Sequence, residues 1–240
     1  MNRVAGVDGC PGGWCVVLVD PDGVLAPEAM VLPRFTDILA LQPALIAVDM
    51  PIGLPDRAGP GGRGAEAAVR PLLGARQSSV FSVPSREAVA ATDYGEACAA
   101  ALATSDPPRK VSRQGFQLFP KIREIDALLV ADVGLRSRVF EVHPEVGFWR
   151  LAGGKAMTLP KKVKSASNLA GLDERRVLLE AHGLPRTLLD SRPPKGAARD
   201  DLIDACVSAL IGLRILRGEA QPFPPEVVTD RHGIRIAIWA

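Results

Sequence analysis

An α/β fold is what this sequence predicts, and two observations carry that reading. Short apolar runs closed by glycine, proline or aspartate are interspersed with longer stretches of helical period. The bulk composition, 47% hydrophobic and 23% charged, is that of an ordinary globular protein. At 240 residues the chain is long enough for one large domain, or for one domain carrying a sizeable insertion.

The elements follow in order. Residues 3–8 and 14–20 read as a hairpin around Gly9-Cys10-Pro11-Gly12-Gly13, a turn dense in chain breakers. After a second turn at Pro21-Asp22-Gly23 come a third strand at 29–32, a short helix at 36–41 and a fourth strand at 45–49. Met50-Pro51-Ile52-Gly53-Leu54-Pro55 stops that strand. From about 55 to about 135 the chain changes character, with alanine-rich helical patterns at 65–73 and 85–103 and a helix at 121–130. This stretch reads as a helical insertion over one edge or end of the sheet, within a single domain spanning 1–240. Residues 138–143 resemble a fifth strand, and Pro144 suits the first position of the next helix. Helices at 168–182 and 200–217, closed by Gly183 and Gly218, precede a short strand at 234–239.

Several function classes are disfavoured at this level. There is no run of about 18 apolar residues, so no membrane partner is expected. Residues 1–4 lead straight into a strand without a signal-like apolar region, which makes the cytoplasm the expected location. The net charge of +2 gives no strong electrostatic call for a polyanion, and aromatics at 5% provide no base-stacking platform. The four cysteines show neither a CxxC pair nor metal-ligand spacing with histidine, and free thiols are expected.

Four aspartates stand out. Asp8 ends the run Val4-Ala5-Gly6-Val7, and Asp49 ends Leu45-Ile46-Ala47-Val48. Asp201 and Asp204 lie three apart on the long apolar helix, sharing a narrow polar stripe with Ser208. Each has a plain structural reading: strand-end turns for the first two, N-capping for the helical pair. Capping accounts for Asp201 better than for Asp204, which sits a full turn in. Together the four suit a site in which two hard cations, Mg²⁺ or Mn²⁺, share carboxylate oxygens. Two such ions about 4 Å apart can activate a water and stabilise the leaving oxygen of a phosphodiester.

Long motifs also carry a resemblance. Gly6-Val7-Asp8-Gly9-Cys10-Pro11-Gly12-Gly13-Trp14, Ala47-Val48-Asp49-Met50-Pro51-Ile52-Gly53-Leu54-Pro55, Ser79-Val80-Phe81-Ser82-Val83-Pro84-Ser85-Arg86, Phe140-Glu141-Val142-His143-Pro144-Glu145 and Asp200-Asp201-Leu202-Ile203-Asp204-Ala205 are similar to motifs of the DUF429 family, described as predicted RNase H-like nucleases. The resemblance implies an RNase H-like core: a mixed five-stranded sheet whose first three strands form a meander, with helices on both faces. It also implies metal-dependent hydrolysis of nucleic acid. In that superfamily one acid ends the first strand, another ends the fourth, and the last come from the final core helix. Asp8, Asp49, Asp201 and Asp204 match those positions, and the closing DxxD looks most like that of Holliday-junction resolvases. The glutamate that RNase H carries on its first helix has no counterpart here.

Other candidates have two readings each. Glu141, His143 and Glu145 alternate in extended chain; His143 and Glu145 could complete the site or move a proton, whereas Glu141 reads as structural. Arg150, Lys155, Lys161, Lys162 and Lys164 run without an intervening acid and either track a phosphate backbone or form a solvated loop. Ser79, Ser82 and Arg86 either bind phosphate or cap helices. Actin-like or sugar-kinase-like phosphotransfer shares the expected core, but no second glycine-rich phosphate loop is present. A non-catalytic protein retaining an acidic cleft is the remaining alternative.

Overall fold

Continuous apolar runs, buried on both faces, form the first two strands, β1 (Val4–Cys10) and β2 (Gly13–Val19). The computed structural model describes residues 3–164 and 166–240. The hairpin turn shrinks to Pro11-Gly12, because β1 runs past Asp8 to Cys10. Gly13 takes the left-handed conformation this tight turn needs, with φ at 120°. Then come β3 (Glu28–Leu32), α1 (Phe35–Ala40) and β4 (Leu45–Asp49).

Between β4 and the next strand lie α2 (Gly64–Val69), a 3-10 stretch Arg70–Ser79, α3 (Arg86–Ala90), α4 (Tyr94–Ala103) and α5 (Arg113–Ala131). The continuous helix expected over 85–103 is two helices. Asp93 interrupts it by capping α4, accepting hydrogen bonds from the Gly95 and Glu96 amides. α5 begins well before residue 121, because Ser112 accepts from the Gly115 amide at 3.0 Å and Pro120 is tolerated inside.

The chain continues through β5 (Val139–Glu141), α6 (Pro144–Leu151), β6 (Lys162–Val163), β7 (Ala166–Ser167), α7 (Leu169–Ala181), α8 (Arg186–Leu189) and α9 (Arg199–Leu216). A terminal hairpin of β8 (Pro222–Thr229) and β9 (Arg235–Trp239) follows. β8 escapes the sequence pattern because Pro222, Pro224 and Pro225 interrupt it. It pairs only with β9, so the missing amides disrupt no central ladder.

The main sheet has the order β3-β2-β1-β4-β5. Its first three strands form an antiparallel meander, and β4 and β5 join parallel, which makes the sheet mixed and five-stranded. Helices cover both faces. Val4, Cys15, Val17, Leu45 and Ala47 face α9 and α6, while Ala5, Val7, Trp14 and Ile46 face α1 and α5. α9 lies closest, over Gly6, where a Cβ would overlap the backbone of Ala205 and Ala209. No described helix is long and apolar enough to cross a membrane.

Candidate active site

Strand register creates the site. Asp8 and Asp49 are direct partners in the parallel β1–β4 pair, on strands about 4.8 Å apart. Side chains two apart share a face, so Asp8 lies with Val4 and Gly6, and Asp49 with Leu45 and Ala47, all beneath α9. The close approach at Gly6 then brings the start of α9 and its acids over both strand ends.

The helical acids divide their roles. The Asp201 carboxylate accepts the Ala198 amide at 2.7 Å, so it is the N-cap partner of α9. Asp200 pairs with Lys162 at 2.5 Å. Asp204 pairs with the ammonium of Lys161, and its other oxygen, Oδ1, is buried with no hydrogen-bond partner. Of the basic stretch, then, two lysines turn inward onto acids.

The electrostatics register crowding of like charge. Burial raises the Asp8 carboxyl well above its ordinary value, and Asp204, Asp49 and Asp201 push it further. Burial and Asp204 push Asp49 up to about 8. Asp204 rises to about 6 by burial, with Lys161 holding it down. Burial pulls Lys161 down, yet Asp204, Glu145 and Asp8 together keep its ammonium above the usual lysine range.

The remaining sequence candidates are placed as follows. Glu145, at the start of α6, is held by Arg175 through two bonds of 2.7 and 2.9 Å, with both side chains buried. His143 lies 3.4 Å from the Ser79 carbonyl through Nε2, and its buried Nδ1 has no partner. Burial and the Lys161 charge lower its pKa to about 4, which keeps the imidazole neutral. Glu141 is structural: it binds Arg63 at 2.6 Å and accepts the Ile52 amide at 2.7 Å, and burial lifts it to about 7. Arg86 is bound to Asp126 and Asp230, Ser79 donates to the Arg76 carbonyl, and Ser82 accepts from Arg70.

Arg175 and Lys161 are the residues that sequence reasoning did not assign to the site. Arg175 reads as an ordinary polar residue on α7, and nothing local marks it as fully buried. Lys161 carried only the weak signal of a basic run.

Carboxylates and the unpartnered buried Asp204 Oδ1 are oxygen donors of the type hard divalent cations take, and the repulsion among these acids is only partly relieved. Among the described residues no three His, Cys, Asp or Glu side chains are grouped closely enough to hold an ion as they stand. The Lys161 ammonium supplies positive charge at Asp204 instead.

A family model described as "Protein of unknown function (DUF429)" matches residues 6–229. No curated protein and no solved structure matches the chain.

Proposed function

The chain belongs to the DUF429 family, whose description assigns no activity, and we propose that it is a metal-dependent nuclease with an RNase H-like core. The observation that supports this is the meeting of Asp8 and Asp49, register partners on parallel strands, with Asp204 from α9. A protein that keeps mutually repelling carboxylates at such a place gains something from a cation.

In this reading Asp8, Asp49 and Asp204 hold Mg²⁺ or Mn²⁺, two ions in the full site, with Asp201 completing the set while it caps α9. The ions, when bound, supply Lewis acidity toward water and a phosphodiester. Lys161, paired with Asp204, would offset phosphate charge beside the ions. Glu145, fixed by Arg175, contributes negative potential behind the site. His143 stays neutral, and the burial that lowers its pKa to about 4 makes it a weak proton acceptor. The helices between β4 and β5 are then an insertion into that core. The same proposal places the protein in the cytoplasm, in keeping with four free cysteines.

The test is cleavage of labelled single- and double-stranded DNA and RNA with and without Mn²⁺. Wild-type protein is expected to cut at least one substrate only with the ion, and Asp8→Asn and Asp204→Asn to lose that activity. Full Mn²⁺-dependent cleavage by both variants would sink the assignment. ATP binding in calorimetry without cleavage would favour phosphotransfer chemistry instead.

A further inference from the structure

A cavity of mixed apolar and polar lining lies away from the four aspartates, among the helices between β4 and β5, with Ala58, Val83, Ala101 and Val111 on its apolar side. Its volume is about 220 Å³, room for roughly seven waters at about 30 Å³ each. Its wall includes Gly62, Ser82, Ser105, Arg109, Lys110 and Ser112, and no acidic residue lines it. Val83 lines both this cavity and a smaller cleft that reaches Asp49, so a short stretch of chain separates the two.

Charge in this cavity is one-sided. Arg109 and Lys110 make no ion pair with a carboxylate among the described residues. Arg70 stands beside them without one. Its guanidinium donates to the Ser82 hydroxyl at 3.0 Å, to the Gly61 carbonyl at 2.6 Å and to the Val80 carbonyl at 3.1 Å. Those bonds fix Arg70 behind a wall hydroxyl. Burial pulls Arg70 below the usual arginine range, the Glu66 charge acts against that, and the Arg109 charge adds to it. Arg109 and Lys110 thus bring two cations to the wall, with Arg70 and its neighbouring Glu66 charge set behind it. Ser112 adds the positive end of α5, a 19-residue helix whose first turn opens at the cavity wall.

The hydroxyls match the cations in purpose. Ser82 presents an oxygen already polarised by Arg70. Ser105 accepts the Arg109 amide at 2.8 Å, which ties the backbone carrying Arg109 and Lys110 to the cavity floor. Arg109 and Lys110 themselves are exposed at the mouth, free to close on an incoming group. Forked guanidinium donors, hydroxyls and a helix terminus together suit a tetrahedral dianion or a diester oxygen pair better than a planar apolar ligand.

We propose that this cavity is a phosphate-binding pocket that takes a phosphoryl group at Arg109, Lys110 and Ser82, with Arg70 holding the Ser82 hydroxyl from behind. The group can come from two sources, a backbone phosphate of a nucleic acid or the phosphate of a free nucleotide or inorganic ion. The pocket does not depend on the metal-site reading, since none of its residues belongs to that site.

The test uses the full chain without metal at 0.15 M salt, with inorganic phosphate, a 5′-mononucleotide and a short single-stranded oligonucleotide as separate probes in calorimetry. Arg109→Ala/Lys110→Ala is expected to weaken binding at least tenfold, the loss typical of one charge-assisted bond. The control Arg217→Ala/Arg231→Ala makes the same change of net charge elsewhere on the surface and is expected to leave affinity within about twofold. Asp8→Asn is expected to retain wild-type affinity, which separates this pocket from the acidic site. Binding of phosphate and mononucleotide identifies a free phosphoryl ligand; binding of the oligonucleotide alone identifies a polymer backbone. No binding of any probe, or equal losses in the pocket and control variants, overturns the pocket.

Discussion

Lys161, on the segment between α6 and α7, places its ammonium against the Asp204 carboxylate of α9, joining positions 43 residues apart. With Lys162 at Asp200, it offsets part of the like charge in the cluster, and it couples that segment to α9.

Lys161→Ala is therefore expected to destabilise the metal-free protein by about 1–3 kcal/mol, because it leaves a buried carboxylate unpaired. Mn²⁺ should restore most of that loss and raise the melting temperature more in the variant than in the wild type. Melting curves with and without millimolar Mn²⁺ check this; identical curves for variant and wild type would show that the contact carries no energy.

Asp49→Asn should do the opposite without metal. A carboxyl whose folded pKa, about 8, lies above its ordinary value of 3.8 binds its proton more tightly when folded. Stability from that proton is greatest near and below pH 4 and is lost as pH rises toward 8. The variant cannot ionise there, so its advantage over wild type should grow from pH 5 to pH 8 and reach about 1–2 kcal/mol, a range discounted for the partial exposure of Asp49. Urea titrations at pH 5, 6.5 and 8 read it directly. A constant difference across that range would contradict the crowding of charge.

Arg175 and Glu145 are both buried and bound at 2.7 Å. Arg175→Met alone should cost about 3–5 kcal/mol, since it strands the Glu145 charge. The double variant Arg175→Met/Glu145→Gln should recover much of this. A double variant no more stable than the single one would mean that Arg175 acts through its packing on Phe148 rather than through Glu145.

Gly6→Ala pushes α9 away from β1, because the new Cβ would meet the backbone of Ala205 and Ala209, not a movable side chain. The expected loss is about 1–3 kcal/mol. Because Asp204 rides on α9, Mn²⁺ affinity should fall alongside, though Gly6 touches no acid in the site. Calorimetric titration with Mn²⁺ decides; a stability loss with unchanged affinity would show that the helix position does not set the site.

Much of the sheet was legible. The strands around Asp8 and Asp49 are short continuous apolar runs closed by breakers, so local chemistry alone placed their ends to within about two residues. Helices with strong periodicity, α7 and α9, were equally clear. The split at Asp93 and the strand β8 were not, because a side-chain cap and a run of prolines cut across the dominant pattern.

The sequence by itself determined the α/β class, the mixed order of strands and helices, and the candidacy of Asp8, Asp49, Asp201 and Asp204. These are properties of residue type and period, which act over a few neighbouring positions. Tertiary structure alone decided which of those acids meet, that Asp201 caps α9, that Glu145 belongs to Arg175, and that Lys161 reaches Asp204. Those pairings follow from strand register and from the absence of a side chain at Gly6. Charge partners across tens of residues are fixed by burial, which penalises any charge left without a neutralising neighbour.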